Sequence, residues 1–145
     1  MVAGETVTIL LVEDDEIDAE AIQRAFVKNK LANPLVIAKD GVEALEVLRG
    51  ENGKSKLCPP YLILLDLNMP RMNGLEFLTE LRADPDIGDS IVFVLTTSDL
   101  DEDKVAAYGH RVAGYTVKSK VGGSFLALVT MVDAYWRIIE FPPAK

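Results

Sequence analysis

Two uninterrupted apolar runs, Tyr61-Leu62-Ile63-Leu64-Leu65 and Ile91-Val92-Phe93-Val94-Leu95, constrain the fold more than any other feature. Each is strand-length, bounded by turn formers, and lacks the polar alternation of a sheet with one wet face. Such strands are covered on both sides. Thr6 to Val12 (TVTILLV) reads the same way, and Leu35 to Ala38 and Gly114 to Val117 are shorter candidates. Between them lie segments of helical period. Ile22, Ala25 and Phe26 form one apolar stripe, Val42, Leu45 and Leu48 a second, and Leu75, Leu78 and Leu81 a third. Asp101 to Gly109 reads as a more polar helix closed by its glycine, and Ser124 is the expected N-cap of a final helix running to about Ile139. Strand and helix alternate five times. The expected fold is therefore α/β, a doubly wound five-stranded parallel sheet with right-handed crossovers.

The length, 145 residues, suits one domain spanning 1–145, with no repeat or low-complexity tract. Gly50 to Pro60 (GENGKSKLCPP) is the one long connection. A net charge of −8 argues against nucleic acid as a partner, since phosphate binding needs a basic surface. Cys58 is the single cysteine, so neither an internal disulfide nor a thiolate metal cluster is available. No apolar run approaches the roughly 18 residues of a membrane helix, and no basic residue precedes Arg24 to form a signal peptide's charged start. The expectation is a soluble cytoplasmic domain.

In an open parallel sheet the reactive site lies beyond the carboxyl ends of the strands. Glu13-Asp14-Asp15-Glu16 follow the first strand, Asp66-Leu67-Asn68 the third, Thr96-Thr97-Ser98 the fourth, and Lys118-Ser119 the fifth. Carboxylates converging there repel unless a cation neutralises them. Oxygen ligands with room for water and phosphate oxygens suit Mg²⁺. A hydroxyl and an ammonium beside them can hold the remaining oxygens of a phosphoryl group, so the implied chemistry is phosphoryl transfer to a carboxylate.

These motifs, ILLVEDDE, LILLDLNMPRMNG, VLTTS and GYTVK, together resemble the receiver domain of two-component response regulators, a flavodoxin-like (βα)5 fold. Asp66 to Thr96 spans 30 positions and Thr96 to Lys118 spans 22, as that family expects. The resemblance implies that Asp66 is the phospho-acceptor and that Glu13 and Asp14 hold Mg²⁺ together with Asp66 and the Asn68 backbone carbonyl. It implies that Thr96 binds the phosphoryl group, that Lys118 pairs with it, and that Tyr115 is the aromatic that follows Thr96 inward. It makes the chain a substrate and switch for a histidine kinase rather than an enzyme acting on outside substrates. Blander readings stand beside these. Glu13 to Glu16 also suit a solvated helix start, Asp15 is adjacent enough to share the cation, Thr96 could cap a helix, and Tyr115 could be a plain strand-end aromatic. His110 and Cys58 carry no motif. The family usually has proline after the site lysine, in a cis bond. Ser119 stands there instead, so a trans bond and a rearranged loop are expected.

The last helix is apolar on two faces. Phe125, Leu128, Val129, Val132, Trp136 and Ile139 make one, and Ala127, Met131, Ala134, Tyr135 and Ile138 the other. Such a helix is normally buried twice, which predicts a homodimer through this helix and the tail 140–145. Phe125, Tyr135, Trp136, Ile138 and Phe141 are its candidate contacts, with the EFPPAK tail extended towards the partner. The extended loop before the third strand (Gly50 to Pro60), the LDLNMPRMNG motif, the acidic helix after LTTS and the AYW near the end are similar to stand-alone receivers that serve phytochrome-type histidine kinases, which implies a bacteriophytochrome as phosphodonor. Two rivals remain: a phosphorylation-independent adaptor, and a haloacid-dehalogenase-like phosphatase, which needs a second Asp where Asn68 stands. A dinucleotide-binding unit fails because acidic residues, not a glycine-rich turn, follow the first strand.

Overall fold

The computed structural model describes residues 6–122 and 124–143. Five strands, β1 (Thr8–Val12), β2 (Leu35–Ala38), β3 (Tyr61–Leu65), β4 (Ile91–Thr96) and β5 (Gly114–Val117), form one parallel sheet in the order β2-β1-β3-β4-β5. The helices are α1 (Glu16–Lys28), α2 (Gly41–Arg49), α3 (Gly74–Ala83), α4 (Asp101–Gly109), the single turn α5 (Lys118–Val121) and α6 (Leu126–Ile138). The expected doubly wound fold is the observed one.

Successive strand residues point to opposite faces, so the unbroken apolar runs feed two cores. Leu10, Val12, Ile63, Leu65, Val92 and Val94 meet α2, α3 and α4 through Leu48, Phe77, Leu78, Leu81 and Ala107. Ile9, Leu11, Leu62, Leu64, Phe93 and Leu95 meet α1 and α6 through Ile22, Phe26, Leu128, Val129 and Val132. The strand order reverses between β1 and β3, which opens a crevice at their carboxyl ends.

Three expectations at the C-terminal end change. Ser124 does not cap the last helix. Phe125 occupies the N-cap position in a left-handed conformation (φ 53°) without a side-chain cap. Its ring is 5% exposed, and burying it is worth about 1.5–3 kcal/mol, enough to offset the roughly 1–2 kcal/mol cost of that backbone. The tail does not extend away from its own chain either. Phe141 is buried, edge-on to Tyr135, whose ring stands edge-on to Phe93. Pro142 and Pro143 lie beside Pro59, Pro60 and Ile91, at the amino ends of the strands, opposite the crevice. Phe125 and Phe141, expected at a dimer interface, are thus part of this chain's own core. Tyr135 and Trp136 are half-buried against that core as well. The exposed stripe of α6 is instead Leu126, Thr130, Ala134 and Ile138, the last 80% exposed. Residues 144–145 of the tail lie outside the described residues.

Candidate functional site

The site is assembled by backbone bonds that align the strand ends. Glu13 N–H donates to the Ala38 carbonyl, and Asp66 N–H donates to that of Val12, setting Asp66 against the end of β1. Behind Asp66 the chain turns tightly, with Gly74 N–H donating to the Leu67 carbonyl. A Cβ at Gly74 would stand 2.5 Å from the Asp66 carbonyl oxygen, so only glycine allows this approach. Asn73 then caps α3 through a reciprocal pair with Glu76.

Asp66 is 5% exposed and engaged on both oxygens. Oδ1 accepts from the Thr96 hydroxyl at 2.8 Å and from the Asn68 N–H at 3.2 Å, while Oδ2 lies 3.6 Å from Lys118 Nζ. Thr96, fully buried, faces Asp66 and caps no helix. Lys118 Nζ also lies 2.6 Å from Glu13 Oε2 and 2.7 Å from Asp18 Oδ2. Burial alone would lower the lysine's pKa, but hydrogen bonds to Asp18 and Glu13 and the charge of Asp66 push it up, so it is a permanent cation. Burial has the opposite effect on Glu13. Loss of water, reinforced by Asp66 and only partly countered by Lys118, raises its carboxyl from 4.5 to about 7.

Carboxylate oxygens of Glu13, Asp14 and Asp66 come within 4.8 Å of one another. Glu13 and Asp66 are buried and Asp14 is open to solvent, so the triad has a wet side. Three hard oxygen donors fit a divalent cation of the magnesium type, which would offset both the burial that chiefly raises the Glu13 pKa and the smaller repulsion from Asp66. Asp15 is occupied differently. It caps α1, accepting from the N–H groups of Ile17 and Asp18, and lies outside the triad. Asn68 sits at the rim, its amide 3.4 Å from Thr97 Oγ1. Tyr115 is half-buried, its hydroxyl donating to the Ser98 carbonyl at 3.0 Å in the loop between β4 and α4. Ser98 in turn donates to Asp103 of α4. The Lys118–Ser119 bond is trans, as expected without proline, and the chain enters α5 directly. Despite that, Lys118 reaches the site.

The sequence reading missed Asp18, whose place in the first turn of α1 looks like ordinary helix-start acidity. It also missed the buried Asp40, which caps α2 and receives two bonds from Arg71, tying the loop after Asp66 to α2.

The response regulator receiver domain model matches residues 9–129. This chain belongs to the response regulator receiver family. Among curated relatives, the response regulator Rcp1 of Synechocystis sp. is 34% identical over 128 residues, covering 88% of this receiver and 87% of that protein. The crystal structure of the phosphorylated cyanobacterial phytochrome response regulator RcpA matches with a TM-score of 0.85 at 33% identity, covering 96% of this chain and all (100%) of that one. The Mn(2+)-bound form of Rcp1 matches with a TM-score of 0.82 at 33% identity, covering 94% and 99%. The receiver is therefore a signalling domain of the phosphoryl-accepting kind, and its acidic pocket is the family's divalent-cation site. Membership disposes of the phosphatase rival, which Asn68 already disfavoured.

Proposed function

We propose that Asp66 accepts a phosphoryl group from the phosphohistidine of a histidine kinase, in a Mg²⁺-dependent reaction, and that Thr96, Lys118 and Tyr115 turn this event into a conformational signal. The observation that carries the reading is the convergence on one buried carboxylate of a hydroxyl, an ammonium and two further carboxylates. Glu13, Asp14, Asp66 and the Asn68 carbonyl would hold the cation. When bound, it supplies positive charge for the carboxylates and for the oxygens of the transferring group. Asp66 attacks phosphorus, the P–N bond to the donor imidazole breaks, and that nitrogen recovers a proton. The new group carries about −1.5 to −2 charges, which draw Lys118 and the Thr96 hydroxyl off their present partners. Thr96 precedes the loop that Tyr115 latches at Ser98, so its inward shift loosens the hydroxyl latch and the start of α4.

The likeness to RcpA, a cyanobacterial phytochrome response regulator, supports a phytochrome-type kinase, a bacteriophytochrome, as donor; that the exchange takes place in the cytoplasm is part of the same proposal. We treat residues 1–145 as one receiver domain. Dimerisation through α6 belongs to the same proposal, supported now by the exposed Leu126–Ile138 stripe rather than by Phe125 and Phe141. The test of the chemistry is borohydride trapping after incubation with acetyl phosphate and Mg²⁺, followed by peptide mapping. Conversion of residue 66 to homoserine supports the proposal. Conversion at Asp14 or Asp15, or none, refutes it.

A further inference from the structure

Lys118 is held more tightly by Glu13, just past β1, and Asp18 of α1 than by the acceptor. Its distances to Glu13 and Asp18, 2.6 and 2.7 Å, are hydrogen bonds, whereas 3.6 Å to Asp66 is not. Asp18 stands outside the carboxylate triad that suits a cation. Its backbone is fixed in the first turn of α1 by the Asp15 cap, so its carboxylate is aimed at the site from a rigid element. Lys118 begins α5, at the end of β5. The Asp18–Lys118 pair thus clasps α1 to the opening of α5 across the mouth of the crevice.

The two carboxylates that bind Lys118 are not equivalent. With Glu13 turned towards a cation, Asp18 is the one short partner the ammonium keeps. Without Asp18, the ammonium has only Glu13 and Asp66 to close upon, the very oxygens the cation needs. We infer that Asp18 is a positioning residue acting through Lys118, holding the ammonium against α1 and off Asp66 until a phosphoryl group offers a stronger acceptor. Asp18 carries a single charge and is partly wet, its side chain 27% exposed, so a buried phosphoryl group outcompetes it. Capture of Lys118 then frees Asp18, and the event is felt in α1 as well as in the Thr96–Tyr115 loop. This inference rests on Asp66 being the acceptor.

Calorimetric titration with Mn²⁺ tests it without any phosphorylation. Asp18→Asn and Asp18→Glu are compared in the wild-type chain and in Lys118→Ala. In the wild-type chain, Asp18→Asn should weaken Mn²⁺ binding about five- to tenfold, a coupling typical of residues in one charge network, while Asp18→Glu restores it to within about twofold. In Lys118→Ala, Asp18→Asn should change affinity by less than about twofold, because the residue acts through the lysine. Unchanged binding in Asp18→Asn overturns the inference. So does an equal loss in the Lys118→Ala background, which would mean that Asp18 acts on the cation by its charge alone. Acetyl phosphate labelling of the wild type separates the two claims. A chain that binds Mn²⁺ but never gains a phosphoryl group refutes the acceptor reading, whereas the Asp18 comparison still stands or falls on the titration.

Discussion

Ionising Glu13 without a bound cation is costly at neutral pH, and that cost can be measured. Its carboxyl is 3% exposed, and burial raises its pKa from 4.5 to about 7. Between those values the folded chain keeps a proton that the unfolded chain has lost, so stability falls as pH rises. The contribution is whole below pH 4.5 and gone above about 7. The displacement corresponds to roughly 3 kcal/mol, a large part of a small domain's stability. Groups whose pKa is held low, such as Asp40, where Arg71 outweighs burial, and Asp84, which accepts from the Asp86 N–H and then from Arg49, titrate below this window and do not mask it. Urea unfolding in EDTA from pH 5 to 8 should show the decline in the wild type. Glu13→Gln removes the titration, so its curve should be nearly flat over this range, with the two proteins closest near pH 5 and the wild type falling below the variant towards pH 8. Saturating Mg²⁺ should flatten the wild-type curve too, because a bound cation favours the ionised carboxylate. A wild type as stable at pH 8 as at pH 5 in EDTA would refute the reasoning, as would an equal slope in Glu13→Gln.

Other consequences are more local. Gly74→Ala drives a methyl group into the Asp66 carbonyl and Leu67 Cα, at 2.5 and 2.6 Å, and should cost about 2–3 kcal/mol by denaturant unfolding while slowing phosphorylation. A loss under about 0.5 kcal/mol would mean that the loop is not held as described. Phe141→Ala should destabilise by about 3 kcal/mol, since its buried ring covers Tyr135 within the same chain. Were the tail free in solution, the substitution would be silent. Thr96→Ala should still take up phosphate, but its Tyr115 ring should keep its unphosphorylated chemical shift by NMR. A wild-type shift change would break the proposed link between Thr96 and Tyr115.

The strand core was readable because its signal is local. A run such as Tyr61 to Leu65 has no polar residue to expose, and the structure returns that strand with the same ends. Asp66, Thr96 and Lys118 were readable for a related reason. Parallel alternation sends every strand end to one edge, so residues far apart in the chain meet there. The C-terminal end was not readable because its conformation is decided by tertiary burial. Nothing local says that Phe125 will take a left-handed backbone to reach the core, or that Phe141 will fold back on Tyr135 instead of leaving with its prolines. Asp18 escaped because an acidic residue in a first helical turn already has a sufficient explanation. Its partner is Lys118, 100 positions away. Asp15, left open as a sharer of the cation, has its carboxylate on the α1 cap, accepting from the N–H groups of Ile17 and Asp18.

Asp66 is proposed to take up a phosphoryl group with help from a divalent cation. Intact-mass measurement after incubation with acetyl phosphate tests it most directly. With Mg²⁺, the wild type should gain the mass of one phosphoryl group, roughly 80 Da, and Asp66→Asn or wild type in EDTA should gain none. An unmodified wild type in Mg²⁺, or equal labelling of Asp66→Asn, would contradict it.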